Sequence, residues 1–199
     1  MSTKTKTVAI VYFSGSGHNH EMAQGVAKGA GSVAGVKVET LRIAGEEIEK
    51  GRWKNDETLA KLTAADAIIF GAPTYMAGPA AQFKAFADAT GVIWYQRGWK
   101  GKLAGGFSHS NSPAGDKANT LQYFQGLAAQ HGMLWVTNED LPYMYTGAKD
   151  GINRYGFYAG AAGGKVHAPG QPVVVEPEDL VTAQSYGRHV AEVSLKWNP

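Results

Sequence analysis

The chain has 199 residues, 44% hydrophobic and 18% charged, with a formal net charge of +2, the balance of a single globular domain spanning residues 1–199. No block of Lys or Arg exceeds two residues, which argues against a nucleic-acid surface, and the absence of Cys excludes disulfides, thiolate metal sites and cysteine nucleophiles. The apolar run near the N-terminus is too short for a signal segment and no stretch approaches the roughly 20 apolar residues of a membrane span, so a soluble, cytoplasmic protein without membrane insertion is expected.

In chain order, Val8–Phe13 is a nearly continuous apolar run of the kind found in buried parallel strands. Met22, Val26 and Ala30 then recur four apart on one face of a helix over residues 18–30. Val36–Ile43 alternates as a strand, "DETLAKLTAAD" is a short helical connector, and "AIIFGAP" is a second buried strand ending at Gly71. Pro79 opens a helix carrying Phe83, Phe86 and Thr90. Leu103–Ser108 is a glycine-interrupted strand, and Asp116 is placed to cap a helix with Leu121, Phe124, Ala128 and His131 on its apolar face, closed by Gly132. Met133–Thr137 supplies a fifth strand. The last helix begins at "EPEDL", with acids in the first turn where the macrodipole favours them, and buries Leu180, Ala183, Tyr186, Val190 and Val193. Strands and helices alternate five times, so right-handed crossovers place helices on both faces of a parallel sheet. Residues 138–172, rich in Gly, Tyr and Pro, are too long for a simple connection and read as an insertion before the last helix.

The chemistry concentrates where the first strand becomes a helix, at "SGSGHN", Ser14 to Asn19. The G-x-G-x-x-G dinucleotide fingerprint is not met, and no Lys-Ser/Thr follows as in a Walker A loop. What remains is two hydroxyls, backbone N–H groups freed by Gly15 and Gly17, and a helix N-terminus, which together can hold a phosphate monoester without Arg or Lys. The plain alternative is a βα turn. The six histidines show no metal-ligand spacing, since His18 and His20 stand on different faces of a helix, so no metal site is expected.

This loop resembles the phosphate loop of flavodoxin-like proteins, and S-x-x-G-H-x in particular resembles NAD(P)H:quinone oxidoreductases of the Trp repressor-binding-protein type. "DAIIFGAPTYMAGPAAQFKAFADATG" is similar to the family's strand, P-T-x-x-x loop and helix, "KLAGGFSHS" and "HGM" to its fourth strand and the His-Gly before the fifth, and "EPEDLVTAQSYGRHVAEV" to its final helix. The resemblance implies a flavodoxin-like three-layer α/β/α sandwich with a five-stranded parallel sheet in the order 2-1-3-4-5. It implies FMN as cofactor, with NADH or NADPH as co-substrate and a quinone-like small molecule as acceptor. The chain would act as a homodimer or homotetramer.

By the same resemblance, Ser14, Gly15, Ser16, Gly17, His18 and Asn19 would hold the phosphate. Pro73, Thr74, Tyr75, Met76, Ala77 and Gly78 would flank the isoalloxazine ring, although Tyr75 and Met76 also suit ordinary packing at a strand end. The third loop, residues 108–116, departs from the family's Thr- and Gly-rich run, but Ser108, His109, Ser110, Asn111, Gly115 and Asp116 remain placed for the pyrimidine edge of the ring. His109 is either a pH-sensitive neighbour of the flavin or a loop histidine satisfied by water. His131 either bonds the last carbonyls of its helix or stands at the mouth of the flavin site. Trp94 matches an aromatic of the family's substrate pocket, contributed across a subunit boundary in many members. The main alternatives are a one-electron carrier of the flavodoxin kind and a flavin-binding interaction protein without turnover.

Overall fold

The computed structural model describes residues 5–165 and 170–198; residues 166–169 of the expected insertion lie outside the described residues. In chain order the main elements are β1 (Lys6–Tyr12), α1 (His18–Gly31), β2 (Val36–Arg42), α2 (Asp56–Ala64), β3 (Ala67–Gly71) and α3 (Ala81–Ala89). These are followed by α4 (Gly91–Tyr95), β4 (Leu103–Ser110), α5 (Lys117–His131), β5 (Leu134–Trp135), β6 (Ala161–Gly164) and α6 (Pro177–Lys196).

All strand pairs of the main sheet are parallel, and β2, β1, β3 and β4 lie side by side in the order expected. The fifth position differs in one respect. Two short strands share the same edge of β4: β5 pairs with its beginning, Leu103↔Leu134, and β6 with its end, Phe107↔Ala161. The expected insertion therefore interrupts the fifth strand, and part of the 138–172 interval returns to the sheet. Ala161–Gly164, "AAGG", carries none of the β-branched residues that mark a strand. It is fully enclosed, and its small residues are what let it in: a Cβ on Gly163 would come within 2.8 Å of the His109 ring, and one on Gly160, just before the strand, would collide with the backbone of Gly106.

The first crossover, through α1, lies on one face of the sheet, and α6 joins it there over Val8, Ile10 and Ile69. Helices α2, α3 and α5 cover the other face, where Phe70, Phe83, Phe86, Phe124 and Trp99 form an aromatic cluster, Phe83 and Phe124 meeting at 4.7 Å between centroids. The chain thus reverses direction between β1 and β3, which opens a crevice beyond the carboxyl ends of those strands. Helices α1 and α6 approach closely because glycines line their contact: a Cβ on Gly187 would strike the carbonyl oxygen of Val26. Gly187→Ala should therefore force the helices apart and cost about 1–3 kcal/mol, read as a lowered urea midpoint at unchanged slope; an unchanged midpoint would mean that this contact yields without cost.

The predicted face of α6 is observed, with Ala183, Tyr186 and Val190 fully buried. The expected side-chain cap of α5 is not. Asp116 adopts φ 52 in the left-handed region and its carboxylate bonds no helix N–H, because the preceding Gly115 turns the chain so that the Asp116 carbonyl, not the side chain, accepts from Asn119 N–H.

Candidate functional site

The loop after β1 is pinned at both ends. Phe13 N–H donates to the Gly71 carbonyl at 2.9 Å, and the Ser14 hydroxyl accepts from His20 N–H at 3.1 Å. Between them Gly17 stands at φ 99 as the residue before α1, a conformation open to glycine and costly for other residues. The first turn of a helix leaves N–H groups short of backbone partners and carries the positive end of the macrodipole. The loop therefore presents donors and a partial positive charge, with Arg42 Nη2 3.4 Å from the Ser14 carbonyl, which suits a phosphate.

The second loop follows β3. Thr74–Tyr75 pairs with Gly78–Pro79 in a tight hairpin whose tip, Met76 and Ala77, has φ of 46 and 63. Neither is glycine, so the tip is held in a sparsely populated region by its surroundings. What holds it is a buried hydroxyl cluster: Thr74 Oγ1 lies 2.9 Å from Ser108 Oγ and 2.8 Å from Thr120 Oγ1, and Ser108 donates to the Ala72 carbonyl. Met76 is wholly exposed at the tip, and the Tyr75 hydroxyl reaches back across the opening, 2.6 Å from where a Cβ on Gly15 would stand.

These loops and the end of β4 enclose a cleft of about 440 Å³ lined by Ser16, His18, Asn19, Pro73, Thr74, Tyr75, Met76, His109, Ser110 and Asn111. Every one of these residues is among the candidates read from the sequence. Of the rest, Ser14, Gly15, Gly17, Ala77 and Gly78 belong to the same two loops but shape the backbone, and Ser108 lies beneath the cleft as a support. Gly115 lies behind Ser110, against its hydroxyl, and Asp116 faces solvent. His18 and His109 stack at 4.7 Å and 13° along the cleft floor, with Ser16 Oγ 3.0 Å from His18 Nδ1. Burial first, then coulombic interaction with His18, Lys117 and Arg154, holds the His109 pKa down at about 3, so this imidazole is neutral in the physiological range. His109 does not stand at a loop surface: it is 2% exposed, and its Nε2, like Oδ1 of Asn19, is buried with no hydrogen-bond partner among the described residues. Buried polar atoms in native proteins are almost always bonded to protein, ordered water or a ligand, so two such atoms at one cleft mark where a polar ligand could bond.

His131 and Trp94 stand elsewhere. Helix α5 runs against the strands, so its end lies by the start of β4, where Leu134 N–H donates to the Lys102 carbonyl. There His131, Trp94, Thr90, Tyr123 and Asp88 line a separate cleft of about 280 Å³. His131 does not bond the last carbonyls of α5; its Nε2 is 2.9 Å from Thr90 Oγ1 and its ring packs against Trp99 at a 34° tilt. Burial, then the Arg97 charge, lowers its pKa to about 4. Within one chain it is not at the mouth of the first cleft.

The sequence reading missed the charged groups behind the third loop. Lys117 is fully buried and bonds Ser110, while Arg154 of the insertion clamps Asp179 of α6 through Nε at 2.7 Å and Nη2 at 2.9 Å. Nothing in the local pattern separates these from surface charges, because the rings that cover Lys117, Tyr155 and Phe157, and the Asp179 partner of Arg154 come from distant segments. Among the described residues no group of three or more His, Cys, Asp or Glu is placed to hold a metal ion, and no helix is long and apolar enough to cross a membrane.

A family model described as NADPH-dependent FMN reductase matches residues 8–141. The chain is 36% identical to the protein named flavodoxin FldP of Pseudomonas aeruginosa, over 92% of this chain and 94% of the relative. It is 32% identical to an NAD(P)H dehydrogenase (quinone) of Geobacter sulfurreducens, over 96% and 98% respectively. Among solved structures it superposes on a flavodoxin, WrbA-like protein from Agrobacterium tumefaciens with a TM-score of 0.73 and 39% identity, covering 97% of this chain and 99% of that one.

Proposed function

We propose that this chain, which belongs to the NADPH-dependent FMN reductase family, transfers two electrons from NADH or NADPH to a quinone or similar flat acceptor through FMN held in the cleft. The observation that carries the site assignment is the pair of buried atoms without a hydrogen-bond partner among the described residues, His109 Nε2 and Asn19 Oδ1, beside a phosphate-type loop at a helix N-terminus. FMN bound there would supply the redox chemistry, two-electron transfer between a nicotinamide and an acceptor.

The protein's share is positioning and electrostatics. The Ser14–Asn19 loop holds the phosphate by N–H and hydroxyl donors. The Pro73–Gly78 hairpin, fixed from below by Thr74, Ser108 and Thr120, offers backbone to the ring, and Tyr75 and Met76 offer side chains. Ser110 and Asn111 face the polar edge. No side-chain nucleophile is needed. Trp94 and His131 lie at the far end of the sheet from this cleft, so a role for them beside a flavin requires a neighbouring subunit. Their shared cleft, with Trp94 40% exposed, supports a homodimer or homotetramer in which one chain completes another's acceptor pocket. We place the enzyme in the cytoplasm, where reduced nicotinamides are its electron source.

A second reading, a one-electron carrier, is favoured by the name of the Pseudomonas relative. One experiment separates the two. The FMN-loaded protein, under anaerobic conditions, is expected to lose its visible flavin band on addition of NADH or NADPH and regain it with a benzoquinone. Bleaching by dithionite alone would support the carrier instead. Failure of the protein to bind added FMN would overturn both.

A further inference from the structure

Lysine is seldom fully buried without a strong reason, yet Lys117, the first residue of α5, has no exposed surface. Its ammonium donates to Ser110 Oγ at 3.0 Å and to the carbonyls of Ser112 and Pro113 at 2.9 and 2.8 Å, which uses its three donors. All three acceptors belong to the turn that leaves β4, and Ser110 lines the cleft. The ammonium also lies 5.0 Å from the Tyr155 ring centroid and 5.7 Å from that of Phe157, so aromatic faces close it off from water.

The charges around it do not cancel. From α6, Asp179 faces this region, but its carboxylate is already clamped by both nitrogens of Arg154 and by Gly164 N–H. From β4, His109 is neutral, with its pKa near 3. From the insertion, Arg154 lies over the Tyr155 ring, and at the start of α6 Glu176 pairs with Lys165 at 2.8 Å. Asp116, on its own turn, faces solvent. Two cations and one carboxylate thus leave a surplus positive charge one hydroxyl behind the cleft wall. In a poorly solvated site such a charge acts over several ångströms.

We propose that Lys117 is a positioning residue that fixes the Ser110–Pro113 turn and places an uncompensated buried charge behind it, so that the cleft holds reduced, negatively charged FMN more tightly than oxidised FMN. The inference rests on the proposed occupancy of the cleft by FMN. The charge itself depends on pH. Burial lowers the Lys117 pKa, Asp179 opposes that and Arg154 adds to it, bringing it to about 8. The charge is therefore present below about pH 8 and lost above it. Negative charge arriving in the cleft on reduction would pull a proton back, so in that interval the midpoint potential should fall more steeply with pH.

The test compares the FMN-loaded wild-type protein with Lys117→Met, measuring the affinity for oxidised FMN by fluorescence quenching and the midpoint potential from pH 7 to 9.5 against reference dyes. The expected result is a loss of affinity about tenfold greater for reduced than for oxidised FMN, a potential lower by about 30 mV at pH 7 for the two-electron couple, and disappearance of the steeper segment above pH 8. Equal weakening of both redox forms would overturn the proposal and reduce Lys117 to a structural tie. Should Lys117→Met fail to fold, the wild-type profile decides: a break near pH 8 upholds the proposal and a straight line through it overturns it. A wild-type protein that takes up no FMN overturns the underlying reading, and is recognised before any variant is compared.

Discussion

Gly17→Val is expected to abolish retention of FMN while leaving the fold intact. The residue stands at φ 99, where a β-branched side chain is strained by about 1–3 kcal/mol. A Cβ placed there would also lie 3.0 and 3.1 Å from the two methyl carbons of Val173, tighter than normal packing allows. The loop can relieve both only by changing its backbone, and the backbone is what offers donors to the phosphate. A displacement that forfeits two charge-assisted N–H bonds, each worth about 1.5–3 kcal/mol, corresponds to a loss of affinity on the order of 100-fold or more. Fluorescence titration with FMN reads the effect, and far-UV circular dichroism with a melting curve reports whether the fold survives. A folded variant that binds FMN as the wild type does would remove the phosphate-loop assignment and leave Ser14–Asn19 as a turn.

Much of this site was legible because its determinants are local. A strand, two glycines between hydroxyls and a helix start follow one another in "VAIVYFSGSGHN", and each has a single sensible role at that spacing. The loop Pro73–Gly78 after β3 was reached through the family resemblance, and its hairpin form was not read from the sequence. Where the determinants are distant, the pattern carried no signal. Strand β6 reads "AAGG" and owes its conformation to the edge of β4 and to small residues there and just before it, Gly163 against the His109 ring and Gly160 against the Gly106 backbone. His131 sits on the apolar side of a helix whichever end of the sheet that helix reaches, and only the antiparallel run of α5 decides. Lys117 follows an Asp at the head of a helix, as any surface lysine could, and its burial depends on Tyr155 and Phe157 from the insertion.

Among the interactions that hold the insertion, the Arg154–Asp179 pair is the one whose removal should be the most damaging single change to stability. Asp179 is 1% exposed in its side chain and accepts from Arg154 Nε at 2.7 Å, Arg154 Nη2 at 2.9 Å and Gly164 N–H at 2.9 Å. Arg154 Nη2 also donates to the Gly164 carbonyl at 2.8 Å, so a single guanidinium joins α6, β6 and the insertion. Arg154→Ala would leave a buried carboxylate with one remaining donor, the circumstance in which loss of a partner is most costly. Because the Arg154 side chain is 26% exposed, water can repair part of the loss, and the expected cost is about 3 kcal/mol, the lower end of the range for buried pairs. For a chain of this length that is a fall in Tm of roughly 6–12 °C. Asp179→Leu in the Arg154→Ala background should restore part of it, since the orphaned charge goes with the carboxylate. A Tm within about 2 °C of wild type for Arg154→Ala alone would place the pair with ordinary surface ion pairs, and the insertion would then be anchored by Trp135, whose indole N–H donates to the Ala159 carbonyl, and by Asn138 and Asn153, which tie its two ends together.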